Sequence, residues 1–275
     1  MSERAIYQVE DRRFEFGANW TRFLEVLNDL RIQKAEESLK QMLKVSTLRD
    51  RTFLDIGSGS GLFSLAARRL GARVHSFDYD KRSVACTLEL KRRYCADDKG
   101  WTIEEGSALD EQYIRSLGQF DVVYSWGVLH HTGAMWRAFE QVAPLVKQGG
   151  ELFLAIYNDQ EGASRRWRMI KRLFNKSPRI LRPFIFVPII LFYEAQYGIM
   201  DLLKGHNPLK PWIHGKDSRG MHKLYDWIDW IGGYPFEVAK PEEVFEFYRL
   251  RGFSLVTLKT CGGRGCNEFV FAKRK

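Results

Sequence analysis

Cysteine is scarce in this chain, and its four copies among 275 residues form no C-x-x-C pair. No histidine cluster stands near them at the spacing of a zinc finger, so the sequence predicts reduced thiols and no metal site. One alternative stays open, because Cys261 and Cys266 flank GGRG and could hold a soft ligand or form a disulfide.

Long apolar segments are also missing. The opening stretch, MSERAIYQVEDRRFEF, is charged and lacks the apolar region of a secretory signal. The longest apolar run, residues 183–193 (PFIFVPIILFY), has about half of the roughly 20 residues that a membrane span needs, and Pro188 interrupts it. We therefore expect a cytoplasmic protein without a transmembrane helix.

Acidic residues are absent between Ser164 and Arg182, although the chain has 34 of them against 43 lysines and arginines, a net charge of +9. On a helix this stretch gives one apolar stripe and one cationic face, which could dock on an anionic membrane surface or cap an anionic substrate. Alternatively, its charges are solvated and the apolar run that follows is the core of a helical subdomain or a homodimer contact. A nucleic-acid partner is disfavoured, because no RRM, KH or zinc module is present. The basic residues are Arg165, Arg166, Arg168, Lys171, Arg172, Lys176, Arg179 and Arg182.

The regular part of the chain begins at Arg51, where short β-rich runs alternate with helix-like stretches. Such alternation implies crossover connections and predicts an α/β fold with helices on both faces of a largely parallel sheet. It stops at Asn158, and only a final helix and β-hairpin (FSLVTLKT, NEFVFAK) restore it. The predicted segments are an N-terminal helical lid or packing element (1–48), a cofactor-binding core (49–159), an inserted basic and apolar helical cap (160–235) and a C-terminal helix and hairpin (236–275) that complete the sheet.

The most informative stretch is LDIGSGSG, residues 54–61, which follows an apolar strand and precedes a helix. Its glycines let the backbone turn tightly and let a ligand touch bare main chain, and the helix directs its free N–H groups and positive dipole end there. The spacing is neither the G-x-G-x-x-G of dinucleotide folds nor a P-loop. Asp55 would repel a pyrophosphate and suits a cationic ligand. Asp78 ends the next strand 21 residues after Gly57, where α/β nucleotide folds place an acceptor for ribose hydroxyls.

These motifs, with FDVVYSWGVLHHT and GGELFLAIY further on, resemble the class I S-adenosylmethionine-dependent methyltransferases. The closest branch is the bacterial small-molecule one that includes the ubiquinone-type O-methyltransferases. The resemblance is specific over residues 51–157 and looser over 240–273. It implies a Rossmann-like open sheet, mostly parallel, with one antiparallel strand in the C-terminal hairpin, and a helical insertion.

S-adenosylmethionine is the cofactor that the resemblance implies. Asp55 would lie near its amino group, and Asp78 would bind both ribose hydroxyls. Ser107-Ala108 stand where relatives often carry Asp-Ala beside the adenine, so an acidic contact there would need Asp110. The implied cofactor-binding residues are Asp55, Gly57, Ser58, Gly59, Gly61, Asp78, Tyr79, Ser107, Ala108, Ser125 and Trp126.

Methyl transfer to an alcohol or phenol is helped by a base that takes the acceptor's proton, and histidine is the usual candidate near neutral pH. His130 and His131 follow the fourth strand, and at most one is expected to face the cleft because adjacent side chains diverge. Tyr157 and the following Asn158-Asp159 end the fifth strand. Packing or capping roles remain the alternative for these residues. The candidate catalytic residues are His130, His131, Tyr157 and Asp226.

Asp226 belongs to HKLYDWIDWIGGYPFE, which is dense in aromatic residues and carboxylates. On a helix His222, Asp226 and Asp229 share one side, and Glu237 follows the GGYP turn. The segment could be a pocket wall or a solvated acidic face beside buried tryptophans.

Taken together, the motifs predict an enzyme that methylates a hydroxyl of a small apolar or lipid-linked acceptor by in-line transfer. A saccharide, a phosphate-bearing molecule or a nitrogen acceptor is the alternative within the enzyme class. From a different class, the chain could be a cofactor-binding scaffold or a membrane-docking subunit without turnover.

Overall fold

The computed structural model describes residues 14, 16–25, 27–207, 227, 230–263 and 265–274. The chain divides into two compact units. The larger unit contains Phe16–Glu161 and Glu237–Lys275, and the smaller one contains Gly162–Phe236.

Seven strands within the described residues of the larger unit form one sheet. They are β1 (Thr52–Ile56), β2 (Arg73–Asp78), β3 (Trp101–Glu105), β4 (Phe120–Trp126), β5 (Val146–Tyr157), β6 (Phe253–Lys259) and β7 (Cys266–Lys273). Their order is β3-β2-β1-β4-β5-β7-β6. The first five strands pair in parallel, whereas β7 is antiparallel to both β5 and β6. The predicted fold class, including the C-terminal hairpin, is confirmed.

Two helices precede the first strand, and others connect the successive parallel strands as crossover connections. In the larger unit they are α1 (Gly17–Glu25), α2 (Asp29–Leu43), α3 (Leu62–Arg69), α4 (Lys81–Cys95), α5 (Glu111–Ser116) and α6 (Met135–Val142). In the smaller unit they are α7 (Gly162–Lys176) and α8 (Arg182–Leu203), and α9 (Pro241–Arg249) returns to the larger unit. Among the residues that the structure describes, short 3-10 helices span Leu129–His131, Ala143–Leu145 and Arg179–Leu181.

Buried side chains fill both faces of the sheet. Leu54 and Ile56 of β1 belong to one core cluster, with helices α5, α6 and α9, and Phe53 points into the other, with α2, α3 and α4. Because a strand alternates its faces, this buried β1 requires helices on both sides. Each fully buried side chain of this size contributes about 1.5–3 kcal/mol, which keeps the strand ends in register for the site.

Pro188 does not interrupt the apolar run of the smaller unit. α8 continues through it as one helix of 22 residues. Proline removes one backbone donor, and the remaining turns keep their hydrogen bonds, so the prediction of a broken run is wrong. By length and composition alone, residues 179–203 are long and apolar enough to cross a membrane, with a mean hydropathy of 1.4. The expectation that the chain has no helix of that kind is therefore not supported.

Candidate cofactor and active site

The strand order reverses between β1 and β4, so their carboxyl ends lie on either side of a crevice. Open α/β sheets bind ligands at such a switch point. Ser125, near the end of β4, is fully buried and donates from Oγ to the Ile56 carbonyl at 3.2 Å. Trp126 follows and is half-buried. Ser125 thus ties the two strand ends together, and Trp126 comes next at the crevice.

The loop after β1 needs its glycines for two reasons. Gly57, Gly59 and Gly61 have φ angles of 76°, 56° and 79°, a region that other L-residues rarely adopt. A Cβ at Gly57 would also lie 2.4 Å from Cγ1 of Val128, and one at Gly59 would lie 2.9 Å from the indole of Trp20. Side chains from the β4 end and from α1 therefore pack directly on the main chain of the loop.

The backbone amides of this loop donate hydrogen bonds to other groups of the protein. Gly57 and Ser58 both donate to the Phe77 carbonyl, at 2.8 and 3.1 Å, and Gly59 donates to Oδ2 of Asp78 at 2.9 Å. The sequence predicts that free N–H groups of the helix α3 face the ligand, whereas these loop amides fix the shape of the turn against the end of β2. A ligand would meet the rim of the loop and the first turn of α3.

Asp78 lies at the end of β2, as predicted, and is anchored on both oxygens. Oδ1 accepts from the Asp80 amide and Oδ2 from the Gly59 amide, both at 2.9 Å. Burial raises the pKa of Asp78 to about 6, although the amide hydrogen bonds act in the opposite direction. Each carboxylate oxygen has a second lone pair, so this group can still accept hydrogen bonds from a ligand diol.

Asp55 lies beneath the loop, with only 2% of its surface exposed. Oδ2 accepts from the Ser64 hydroxyl at 2.5 Å, and Ser64 lies 2.7 Å from the Ser76 hydroxyl, which accepts from Nε1 of Trp101 at 2.8 Å. The pKa of Asp55 is raised to about 7, chiefly by burial and to a smaller extent by the nearby charge of Asp78, while the hydrogen bond from Ser64 acts in the opposite direction. This inward network is not visible in the motif.

Two carboxylates that resist ionisation together favour a positively charged ligand, which would stabilise their charged forms. S-adenosylmethionine carries a sulfonium and an ammonium group, and its ribose offers two hydroxyl donors. The two carboxylates of Asp55 and Asp78 beside a glycine turn therefore fit this cofactor.

The raised pKa of Asp55 makes stability depend on pH in a definite direction. An unfolded Asp titrates near pH 3.9, so between about pH 5 and 8 the folded state loses a proton that the unfolded state has already lost. The contribution of Asp55 to the stability of the unliganded protein is therefore most favourable at the acidic end and falls as the pH rises. Asp55→Asn cannot ionise and keeps an acceptor for Ser64. Its free energy of unfolding relative to wild type is expected to increase by about 2 kcal/mol from pH 5 to pH 8, measured by urea denaturation.

Asp121→Asn is the matched control for this measurement. Hydrogen bonds from Thr52 and the Lys147 ammonium hold the pKa of Asp121 at about 2 against the effect of burial, so it does not titrate in this window. Its stability difference from wild type should stay constant with pH. Equal pH dependence of both variants would contradict the assignment of the buried charge to Asp55.

The residues predicted to lie beside the adenine follow β3. Asp110 caps α5 by accepting from the Tyr113 amide at 3.0 Å, so it does not reach back to the strand end in this structure. Ser107 accepts from the Leu109 amide at 3.2 Å and Ala108 is buried. Tyr79, directly after Asp78, is half exposed.

Three of the four predicted catalytic residues lie together at the carboxyl ends of β4 and β5. The His130 and Tyr157 rings are 3.9 Å apart, and His131 lies 4.5 Å from His130 and 5.4 Å from Tyr157, between ring centroids. Phe16 packs on His131 at 5.0 Å. His130 is fully buried, whereas His131 is half-buried.

The position of a proton on His130 follows from its contacts. Its Nδ1 accepts the Tyr157 amide at 3.3 Å, so a proton sits on Nε2 when the ring is neutral. Its carbonyl accepts the Glu237 amide at 2.9 Å. His130 is therefore held inside the protein, and His131 is the histidine with a partly exposed ring.

Other candidates have structural partners. Asn158 accepts from Nδ2 of Asn267 at 3.0 Å, and Asp159 accepts from the Glu161 amide at 2.8 Å. Glu237 caps the N-terminus of α6 through the Met135 amide. The predictions for His222, Asp226 and Asp229 lie outside the described residues. Cys261 and Cys266 are not joined by a disulfide, and the Cys261 thiol donates to the Gly263 carbonyl at 3.3 Å.

Several residues at this site were not singled out from the sequence. Thr87 of α4 lies 3.0 Å from the Ser58 hydroxyl, between side-chain oxygens, and would obstruct a Cβ at Gly61. Trp20 is only one of several apolar residues at helical spacing in the N-terminal segment, and Phe16 shows no pattern in the sequence. Ser76 offered the best clue, because it is a small polar residue inside an otherwise buried strand end.

In fold, the chain is similar to solved methyltransferases. Magnesium protoporphyrin IX methyltransferase from Synechocystis PCC 6803, solved with bound SAH, matches with a TM-score of 0.52 at 14% identity, covering 90% of this chain and 88% of that one. The open sheet, the glycine turn after β1 and the acidic end of β2 thus define a Rossmann-like methyltransferase fold.

The family follows from the sequence matches. Residues 54–152 match the family model described as a methyltransferase domain. The chain is 32% identical over 108 residues to a ubiquinone biosynthesis O-methyltransferase of Caulobacter vibrioides, and 29% identical over 110 residues to a tRNA U34 carboxymethyltransferase of Actinobacillus pleuropneumoniae. These matches cover 39% and 40% of this chain but only 41% and 33% of the two relatives. The matched part of the chain, residues 54–152, belongs to the class I S-adenosylmethionine-dependent methyltransferases. S-adenosylmethionine is their cofactor.

Proposed function

We propose that this protein transfers the methyl group of S-adenosylmethionine to a hydroxyl oxygen of a small apolar or lipid-linked acceptor. The observation that carries the proposal is the cluster of His130, His131 and Tyr157 at the carboxyl ends of β4 and β5. Strand β4 pairs with β1, which carries Asp55 and is followed by the glycine turn.

The cofactor supplies an electrophilic methyl group on a positively charged sulfur. Asp78 would accept hydrogen bonds from its ribose hydroxyls, and the charge of Asp55 beneath the turn would offset its positive charge. Ser58 and the three glycines would line its methionine and ribose portions, with Ser125 and Trp126 near the sulfur. The transfer needs no catalytic group of the protein at the sulfur. Positioning of donor and acceptor therefore contributes much of the rate enhancement.

His131 is the residue we assign as general base for the acceptor hydroxyl. Its partly exposed ring can reach an acceptor, while the buried His130 and the Tyr157 ring hold it from two sides. Deprotonation makes an alcohol or phenol oxygen a better nucleophile, and a positioned base of this kind accelerates such reactions by about 100-fold or more.

Helix α1 and the residue before it would act as a lid over this site. Trp20 packs on the glycine turn, Phe16 packs on His131, and the Gly17 amide donates to Asp80 at 2.9 Å. These contacts would exclude water from the transfer and give the acceptor an apolar surround. Two points support an apolar oxygen acceptor: this aromatic surround, and the name of the Caulobacter relative as an O-methyltransferase of ubiquinone biosynthesis.

A labelling experiment tests the proposal. The full chain is incubated with S-adenosylmethionine labelled in the methyl group and with four separate acceptor pools: phenols and catechols with alkyl tails, a bacterial lipid extract, sugar phosphates and primary amines. Label is expected in the first two pools, as methyl ethers identified by mass spectrometry.

Transfer only to sugar phosphates or amines would contradict the acceptor class while leaving the donor intact. If the protein binds neither S-adenosylmethionine nor S-adenosylhomocysteine by calorimetry, the methyltransferase proposal itself is wrong.

A further inference from the structure

We infer that the smaller unit docks on an anionic lipid surface, with α7 and α8 lying in the interface between headgroups and acyl chains. Lipid binding by this unit can be measured without methyl transfer. Charge, exposed apolar area and the packing of the unit each contribute to the inference.

The charge of α7 complements an anionic membrane. No Asp or Glu occurs from Ser164 through Tyr193, while eight lysines and arginines do. Six of these cations are exposed, and each one near an anionic leaflet contributes roughly a fivefold gain in binding. The exposed cations are Arg165, Arg166, Arg168, Arg172, Lys176 and Arg179.

Large apolar side chains are exposed beside these cations. Met169 and Leu173 lie on the outer face of α7, and Phe184 and Leu191 of α8 are 75% and 64% exposed. Five of the exposed residues of α8 recur at helical spacing along one face as an apolar stripe, and Phe192, Tyr197, Met200 and Leu203 are exposed outside it. Monomeric soluble proteins rarely expose apolar surface in this way unless it binds a partner or a membrane. The stripe comprises Phe184, Val187, Leu191, Ile199 and Leu202.

The core of the unit is made by other residues, so the stripe is not needed to fold it. Trp167 of α7 stacks on Tyr193 of α8 at 5.5 Å and meets Trp230 edge-on at 5.4 Å. Lys171 is fully buried against the Trp230 and Phe236 rings, and its Nζ donates to the Trp230 carbonyl. These contacts fix which faces of the two helices point outward.

The same core favours a helix that lies on the membrane over one that crosses it. Glu194, near the middle of α8, accepts from Nε1 of Trp227 at 2.8 Å. A spanning orientation would carry this carboxylate toward the bilayer centre, where ionisable groups are costly. An interfacial helix buries only one face, about 5–10 Å deep, and leaves its opposite face on the protein.

Vesicle co-sedimentation of the full chain tests the inference. Wild type is expected to bind vesicles of phosphatidylcholine with about 30% phosphatidylglycerol, to bind pure phosphatidylcholine at least about tenfold more weakly, and to be released by about 0.5 M salt. Two variants remove one contribution each, and both are expected to lower the partition coefficient by at least about tenfold. They are Arg165→Gln/Arg166→Gln/Arg172→Gln/Lys176→Gln and Phe184→Gln/Val187→Gln/Leu191→Gln.

Two control variants carry the same changes at exposed positions of the larger unit. They keep the net charge and the number of apolar deletions matched, and their binding should remain within about twofold of wild type. The controls are Arg49→Gln/Arg73→Gln/Lys99→Gln/Arg137→Gln and Leu88→Gln/Leu250→Gln/Leu258→Gln, all at exposed residues.

Four outcomes would overturn the docking surface. The first is that the wild-type protein fails to bind anionic vesicles. The second is that a control variant loses as much binding as the α7 or α8 variant to which it is matched. The third is protein that stays in native membranes after carbonate and high-salt extraction, which would mean a spanning helix. If the α8 variant instead converts a dimer to a monomer with vesicle binding unchanged, the stripe is an interface between copies.

Discussion

His131→Asn is expected to lower kcat for the methyl acceptor by about 100-fold or more, with the affinity for S-adenosylhomocysteine unchanged. Asparagine fills part of the ring's space between Phe16 and Tyr157 and has no group that takes a proton at neutral pH. Loss of a general base typically costs between 100-fold and 10,000-fold. Steady-state kinetics over a range of pH measures this, and the acidic limb of the wild-type profile should disappear in the variant.

His75→Asn is the matched control. His75 lies in β2, three residues before Asp78 at the carboxyl end of the strand. Its Nε2 is 3.4 Å from the carboxylate of Glu104. Burial lowers the pKa of His75, and its replacement should leave kcat and the pH profile as in wild type. A normal kcat for His131→Asn would exclude this residue as the base.

Asp78→Ala is expected to weaken binding of S-adenosylmethionine and S-adenosylhomocysteine by more than about 100-fold. Two charge-assisted hydrogen bonds to the ribose hydroxyls would be lost, each contributing about 1.5–3 kcal/mol. The change also removes the acceptor for the Gly59 and Asp80 amides, so the turn loses its anchor at the end of β2. Isothermal titration calorimetry measures both affinities directly.

Asp78→Asn and Asp110→Ala separate these contributions. Asparagine keeps one acceptor oxygen for the turn and loses the charge, so its affinity should lie between those of wild type and Asp78→Ala. Asp110 also follows a strand, but it caps α5, and its alanine variant should bind the cofactor like wild type. Unchanged affinity in Asp78→Ala would remove Asp78 from the cofactor site.

Much of the fold could be predicted because its signals are local. The LDIGSGSG turn between an apolar strand and a helix, and the hairpin formed by β6 and β7, are written in consecutive residues. The order of the strands was not predicted, since hydrogen-bonded neighbours such as β1 and β4 are separated by more than sixty positions in the chain.

The site was only partly predictable for the same reason. The spacing in the sequence identifies Asp55, Asp78 and the glycines as candidates. The position after β4 identifies His130 and His131. The inward hydrogen bond of Asp55 to Ser64, the Glu237 cap on α6 and the contact of Trp20 with the turn all join distant segments. Pro188 shows the opposite error: a local rule predicted a break that the rest of a long helix overrides.

The sequence by itself determined the parallel core, the glycine turn with its acidic partner, and the cationic stretch followed by an apolar run. Only the tertiary structure decided which of two adjacent histidines is buried, that Asp55 titrates near neutral pH, and that the stripe of α8 faces outward. The physical reason is that burial and charge proximity depend on what other segments bring to a residue. Periodicity and spacing describe one segment at a time.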